Sequence, residues 1–166
     1  MKSNGSVYVA VVIAALVGYF AYQWWFNPAR AIKRRLGEVA AALSVPAPDS
    51  DIARLERLAQ LRSFLADEVR VEIRGTQPIV SRDAILAIVG SFRPAAGGVD
   101  VQFVDTQVNV DAPDRGRAYL TVEMTTPDRQ SGERTIDTRD ATVTLARRDG
   151  EWVITSAEST PTPTRP

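Results

Sequence analysis

The feature that most constrains this chain is a run of twenty residues near its start, residues 7–26, without a charged side chain. A helix of that length rises about 30 Å, which matches the hydrocarbon thickness of a bilayer. The first half of the run is apolar on every side, whereas an amphipathic surface helix would present one polar face. The run therefore predicts a transmembrane helix from Val7 to Phe26, preceded by a short tail, residues 1–6.

Aromatic residues at both ends of this run support a membrane-spanning helix. Tyr8 lies near its start, and Tyr19, Trp24 and Trp25 are among the aromatic residues near its end. Trp and Tyr prefer the headgroup region of a bilayer. The alternative is a cleaved secretory signal peptide, which needs a cleavage site of small residues after its apolar part. Because residues 19–25 are mostly bulky, we favour an uncleaved anchor.

The basic residues around the run predict on which side of the membrane the rest of the chain lies. Only Lys2 precedes the run, whereas Arg30, Lys33, Arg34 and Arg35 follow it closely. This bias favours a single-pass protein of the cell (inner) membrane with its C-terminal domain in the cytoplasm. The alternative is that this domain is exported to the periplasmic or extracellular side. The same cations would be attracted to anionic lipid, although topology alone accounts for them.

Composition excludes several classes of function. The chain has 166 residues, which suits one domain and an appendage. Equal numbers of basic and acidic residues, 20 of each, argue against nucleic-acid binding. The absence of Cys and His removes disulfides, the usual zinc sites, thiol nucleophiles and imidazole chemistry. Gly97-Gly98 precedes a predicted strand and lacks the context of a nucleotide-binding loop. We therefore expect no metal, no cofactor and no nucleic-acid partner.

The pattern after the run predicts two helices, a strand, a very short strand and a third helix. Asn27-Pro28 is a typical helix start, and a second helix is expected over about 51–65. A strand alternates over 69–73, Ile79-Val80 adds a short strand, and Ser81 caps the third helix. Apolar residues at helical spacing predict buried faces made of Ile32, Leu36, Val39, Ala40 and Leu43, then Ile52, Leu55, Leu58, Ala59, Leu61 and Leu65, then Ile85, Ile88, Val89 and Phe92.

From Val99 onward the pattern is typical of an antiparallel sheet of four strands. The apolar residues have odd numbers up to Phe103 and even numbers after it. Because side chains alternate between the two faces of a sheet, this change predicts an extra residue, a β-bulge, at about 103–105. Residues 148–151 predict a tight hairpin, followed by a last strand over 152–159. The Pro/Thr-rich residues 160–166 are expected to be a disordered tail.

Three stretches resemble the nuclear transport factor 2-like superfamily, which includes SnoaL-like polyketide cyclases and ketosteroid isomerases. They are Leu-Ala-Asp-Glu-Val at 65–69, Ile-Val-Ser-Arg-Asp-Ala-Ile at 79–85 and Arg-Asp-Gly-Glu-Trp-Val-Ile at 148–154. The resemblance covers about 29–159 and implies an α+β domain over residues 27–159. The implied shape is a cone of three helices packed on a curved, mostly antiparallel sheet. It also implies a pocket at the wide end and homodimerisation through the sheet.

Enzymes of this superfamily commonly place Asp, His, Tyr or Arg in the pocket, and this chain has no His. A carboxylate beside Tyr or Arg in such a pocket could act as a general base. On a solvent-facing or dimer-facing surface the same residues would form cross-strand pairs instead. We favour the surface interpretation and assign no catalytic residue. The polar candidates within the predicted strands are Asp105, Tyr119, Glu123, Asp137, Arg139 and Asp140.

These observations favour a non-enzymatic module at the membrane surface that binds a hydrophobic small molecule or a membrane-protein partner. The alternative is a SnoaL-like or isomerase-like enzyme acting on a small hydrophobic substrate. A purely structural anchor domain is a third hypothesis. The enzyme hypothesis needs Asp105, Glu123 or Asp137 to be buried in a pocket beside Tyr119 or Arg139.

Overall fold

The computed structural model describes residues 10–19, 27–94, 97–127 and 133–161. Helix α1 includes residues 10–19. The remaining elements, in chain order, are α2 (Pro28–Leu43), α3 (Asp51–Phe64), β1 (Leu65–Ile73), β2 (Ile79–Val80), α4 (Arg82–Ser91), β3 (Asp100–Ala112), β4 (Arg115–Pro127), β5 (Arg134–Arg148) and β6 (Glu151–Pro161).

Helix α1 lies within the predicted transmembrane run, whose remaining parts, 7–9 and 20–26, fall outside the described residues. All ten residues of 10–19 are exposed. Within the described ranges, no helix has both the length and the apolar character needed to cross a bilayer. The transmembrane helix is therefore not confirmed and stays a prediction.

The predicted starts of α2 and α4 are confirmed by the bonds that cap them. Asn27 Oδ1 accepts a hydrogen bond from the N–H of Ala29 at 3.0 Å, and Pro28 occupies the first position of α2. Ser81 Oγ accepts from the N–H of Ala84 at 3.3 Å. Each side chain satisfies an N–H group that has no partner within its own helix.

The six strands form one mixed sheet in the order β2-β1-β6-β5-β4-β3. β1 runs parallel to β6, and the other neighbours are antiparallel. We call the face against which the helices pack the inner face and the opposite one the outer face. The hairpin end is the end with the β5–β6 turn, and the open end is where β4 stops at Pro127 and β5 begins at Arg134.

The predicted bulge and the predicted hairpin are both confirmed. The β3–β4 register shifts between Val104 and Gln107, and Asp105 has a φ of 50°. Because the extra residue changes the parity, Phe103 and Val108 both pack against the core. Positive φ values of 52° at Asp149 and 85° at Gly150 match the twist of a two-residue hairpin turn.

Two strand boundaries differ from the prediction. β1 begins at Leu65 rather than at 69, because Leu65 already pairs with Ile154 of β6 before an irregularity in the register. β6 continues to Pro161, since Thr160 and Pro161 pair with β5. These two residues therefore belong to the strand and not to the tail. The predicted disorder of 162–166 lies outside the described residues.

The core lies between α2 and the middle of the sheet. Ile32 is 0% exposed and Leu36 is 1% exposed, and each such burial contributes about 1.5–3 kcal/mol. A Cβ at Gly116 would lie 2.5 Å from Ile32 Cδ1, so any larger residue there would force the buried Ile32 side chain to move. The buried cluster contains Ile32, Leu36, Val39, Ala42, Leu61, Phe64, Leu65, Val69, Ala118, Leu120, Val143, Leu145, Trp152 and Ile154.

The predicted buried faces of α3 and α4 are wrong in part. Ile52 and Leu55 are 72% and 67% exposed, whereas Leu61 and Phe64 are the buried residues of α3. Nine residues correspond to about two and a half helical turns, so Ile52 and Leu61 point to opposite sides. In α4, Ile85, Leu86 and Val89 pack against the core, whereas Ile88 is 52% exposed. Two further residues of the predicted faces, Ala59 and Phe92, are also exposed.

This difference gives a matched test of where the core lies. Ile32→Ala should lower the free energy of unfolding by about 2–5 kcal/mol, because it opens a cavity in the core. Ile52→Ala removes the same atoms from an exposed site and should change it by less than about 0.5 kcal/mol. Urea denaturation of both variants measures the difference, and equal losses would contradict this packing.

Candidate functional site

Strand register divides the predicted polar candidates between the two faces of the sheet. Leu120 pairs with Ala141 on the inner face, and two residues further toward the open end Val122 pairs with Arg139. Side chains two residues apart share a face, so Arg139 and Asp137 also lie on the inner face. They are the two candidates that the fold places there.

Asp137 and Arg139 form an ion pair near the open end. Arg139 Nε lies 3.2 Å from Asp137 Oδ2, and the side chains are 53% and 48% exposed respectively. Met124, the partner of Asp137 in the register, is 36% exposed. The carboxylate is therefore in contact with water and paired with a guanidinium, and it does not lie in an apolar pocket.

The other candidates lie on the outer face or at its edge. Thr121 Oγ1 donates a hydrogen bond to Asp140 Oδ1 at 2.9 Å, which confirms a cross-strand pair. Tyr119 is 42% exposed, and Asp105 is exposed at the bulge. Glu123 is four residues after Tyr119 on β4, so the two side chains lie on the same face of the sheet. The burial required by the enzyme hypothesis is therefore not met.

Arg117, beside Tyr119 on this outer face, shows how the surface groups interact. Its side-chain hydrogen bond to Tyr119, followed by the Asp111 and Glu158 carboxylates, raises the pKa of Arg117 above its usual value. The outer face at this point is a charged, hydrogen-bonded surface.

A small cavity lies where α2, α3 and α4 meet. Its volume is about 10 Å³, which is room for about one water molecule. The apolar part of its lining consists of Ala42, Leu43, Val45, Leu58, Val89 and Phe92. An apolar ligand could enter only if these side chains moved apart.

An ion-pair cluster, Asp49 with Arg54 and Arg57, closes the same cavity. Asp49 Oδ1 accepts from Arg57 Nη2 at 2.6 Å, and Arg54 Nε and Nη2 both lie 3.3 Å from Oδ2. The hydrogen bond from Arg57 is the main cause that lowers the pKa of Asp49 below 3.8. The sequence indicates only that Asp49 belongs to a helix start. The spacing of Arg54 and Arg57 after it was the feature that could have indicated these ion pairs.

The lowered pKa predicts a pH-dependent contribution to stability. The ion pairs stabilise the native state above pH 3.8, and this contribution is lost as the pH falls through the lowered pKa. Asp49→Asn should therefore lower Tm at pH 7, and the difference from the wild type should shrink below pH 3.8.

Asp51→Asn is the matched control, because Asp51 also bonds Arg54 but is 90% exposed. It should lower Tm by less than Asp49→Asn at pH 7. Thermal unfolding followed by circular dichroism measures both, and an equal effect of the two variants would contradict the cluster's role.

At the hairpin end, Arg35 ties α2 to the start of β6. Its Nε donates to the carbonyl oxygen of Trp152 at 2.9 Å, and its two terminal nitrogens lie 3.2 Å from Glu38 and 3.1 Å from Glu151. The guanidinium also lies 4.6 Å from the centre of the Phe64 ring. The Arg35 side chain is only 16% exposed. These bonds fix the first turns of α2 on the sheet.

Beside Arg35 lies an open groove of about 520 Å³, which we call the basal groove. Arg34 lies in its wall and is 79% exposed. Arg147 lies across from α2, and its Nε donates to the carbonyl oxygen of Gly150 at 3.1 Å. The lining comprises Asn27, Pro28, Ala31, Arg34, Arg35, Glu38, Arg147, Gly150, Glu151 and Trp152. The sequence pointed to Arg34 but not to Arg147, which only the fold brings near α2.

With the fold and these sites described, comparison with known proteins gives the family. The profile of the SnoaL-like domain matches residues 51–158. The chain belongs to the SnoaL-like domain family. The predicted nuclear transport factor 2-like domain is thereby confirmed. No group of three or more metal-ligating side chains is found in the described parts of this SnoaL-like chain.

Solved structures show the same fold at low identity. An NTF2-like protein with a cystatin-like fold from Novosphingobium aromaticivorans is 15% identical, covering 88% of this chain and 90% of its own, with a TM-score of 0.66. The hexachlorocyclohexane dehydrochlorinase LinA-type3 from Novosphingobium barchaimii is 13% identical, with coverages of 79% and 84% and a TM-score of 0.60. A ketosteroid isomerase-like protein from Erwinia carotovora atroseptica is 12% identical, with coverages of 80% and 95% and a TM-score of 0.59. No curated protein matches significantly.

Proposed function

We propose that this SnoaL-like domain is a non-enzymatic binding or interaction module, held at the cell membrane by residues 7–26. The positions of the polar candidate residues support the proposal that the domain is not an enzyme. Asp105, Tyr119, Glu123 and Asp140 lie on the outer face or its edge, and the Asp137–Arg139 pair is open to water. Within the part of the chain that the structure describes, every buried side chain is hydrophobic.

The exposed surface of α1 supports attachment to a membrane. Val11, Leu16 and Val17 are 61%, 51% and 62% exposed, and none of residues 10–19 is charged. An uncharged helix with this much exposed apolar surface is stable where lipid surrounds it, because contact of apolar side chains with water is unfavourable. The Lys/Arg bias after the segment supports the cytoplasmic side.

A ligand of the helix-lined cavity would have to be small and apolar, and it would bind only after the lining side chains move apart. The cavity between the helices is lined by Leu58, Val89 and Phe92, and Phe92 is 49% exposed beside it. Attachment keeps the domain close to the bilayer and therefore close to molecules that partition between lipid and water. The other proposed binding partner is a membrane protein that contacts the exposed helices of the module.

Native mass spectrometry of the full chain in mild detergent tests this proposal. We expect a retained apolar molecule or a stoichiometric partner subunit. Leu58→Trp adds more volume than the cavity holds, so it should block retention of a small molecule there. Leu55→Trp, at a site 67% exposed, should leave retention unchanged, and circular dichroism verifies the fold of both variants. A bare chain with neither adduct in the wild type would contradict the proposal.

The outer face of the sheet is the surface through which we predict a homodimer. Tyr119 and the charged residues near it are exposed there, as cross-strand pairs between two copies would require. This homodimer stays a prediction.

A second candidate function is enzymatic, and the inner-face position of Asp137 favours it. There the carboxylate could take a proton from a substrate, and the guanidinium of Arg139 could stabilise the resulting negative charge. The similar structures include a dehydrochlorinase and a ketosteroid isomerase-like protein.

The two functions differ in what happens to a retained molecule. If the chain is an enzyme, the wild type and Asp140→Asn should convert the molecule, and Asp137→Asn should slow conversion by about 100-fold or more. Mass spectrometry of the molecule over time measures this. Conversion at equal rates by Asp137→Asn and the wild type would exclude Asp137 as the base.

A further inference from the structure

The basal groove carries more positive charge than its structural role requires. Arg34, Arg35 and Arg147 line it together with Glu38 and Glu151. Both carboxylates lie against Arg35, at 3.2 and 3.1 Å, whereas Glu38 lies 4.0 Å from Arg34. The acidic side chains are thus engaged mainly by the guanidinium that holds the fold. The three arginines exceed the two carboxylates by one positive charge, and Arg34 and Arg147 are the two arginines less closely engaged by those carboxylates.

These two arginines come from different parts of the chain. Arg34 is in the second turn of α2, and Arg147 is near the end of β5. The bond from Arg147 Nε to Gly150 holds its guanidinium at the hairpin, and the Arg35 bonds hold α2 beside it. Arg147 is held by its bond to Gly150, whereas the Arg34 side chain is exposed and can turn toward a ligand in the groove. Two guanidinium groups that line one groove can bind one phosphate together, since each presents several N–H donors.

The position of the basal groove indicates where that phosphate comes from. Asn27 and Pro28 line the groove and directly follow the run 7–26. If that run spans the membrane, the groove lies at headgroup depth, where the phosphates of lipids are concentrated. Lys33 is exposed on the same helix and adds to the positive potential there. A volume of about 520 Å³ is within the range of small-ligand sites.

We propose that the basal groove binds the phosphate of an anionic phospholipid headgroup through Arg34 and Arg147. The inference rests on the proposed attachment to the membrane and adds a specific lipid contact to it. Bound lipid fixes the orientation of the domain on the bilayer, because the groove then faces the headgroups. The open end of the cone consequently points away from the membrane.

Titration of the full chain, purified in a neutral detergent, with dihexanoyl phosphatidylglycerol tests this site. The apparent Kd from native mass spectrometry should weaken about 30-fold in the double variant Arg34→Gln/Arg147→Gln, or about 5-fold for each cation lost. The control Arg62→Gln/Arg93→Gln removes two exposed arginines outside the groove and should change Kd by less than about 2-fold. Circular dichroism verifies the fold of both variants.

Three results would overturn the proposal. The double variant could bind phosphatidylglycerol as tightly as the wild type. Dihexanoyl phosphatidylcholine could bind equally well, or inorganic phosphate could displace the lipid at equal concentration, which would indicate a site for free phosphate.

Sedimentation of cell membranes separately tests the attachment. A water-soluble chain that still binds the lipid through these arginines contradicts the attachment alone, and a membrane-embedded chain with unchanged lipid binding in the variant contradicts the groove alone.

Discussion

The attachment of α2 to the hairpin end of the sheet is the interaction on which the rest of the structure depends. Ile32 is fully buried against Gly116, and one turn further Arg35 bonds the carbonyl oxygen of Trp152 and the Glu151 carboxylate. The apolar contact supplies stabilisation, and the polar contacts fix the direction of the helix. Together they determine where the chain enters the domain and form one wall of the basal groove.

The same arrangement separates an apolar interior from a polar exterior. Along β4 and β5 the inner positions are aliphatic through the middle of the sheet, with polar side chains toward both ends, among them Arg147 at the hairpin end and Asp137 and Arg139 near the open end. A SnoaL-like fold can carry a binding site or a catalytic site in such an interior, so the side chains decide between them. Here the interior is better suited to apolar contacts than to proton transfer.

Much of the fold could be predicted from the sequence because local chemistry determines it. Asn27-Pro28 begins a helix, and the change of parity after Phe103 requires an extra residue in β3. The prediction was wrong where tertiary contacts decide burial. Ile52 and Leu55 follow helical spacing, yet no strand lies opposite their side of α3 in the described structure.

The candidate sites were less predictable for the same reason. Parity alone places Asp137 and Asp140 on opposite faces, but only the register with β4 and the helices shows which face is inner. Arg35 and Trp152 are 117 residues apart in sequence, so their bond, and with it the groove beside Arg147, could not be seen in any local pattern.

The central claim, that residues 7–26 hold this domain on a membrane, is tested most directly by the mass of the mature chain in fractionated cells. After an alkaline wash, the account predicts a chain of 18.1 kDa that remains in the membrane pellet with its N-terminal segment intact. A shorter chain that begins near residue 27 and is recovered in the aqueous supernatant would contradict it.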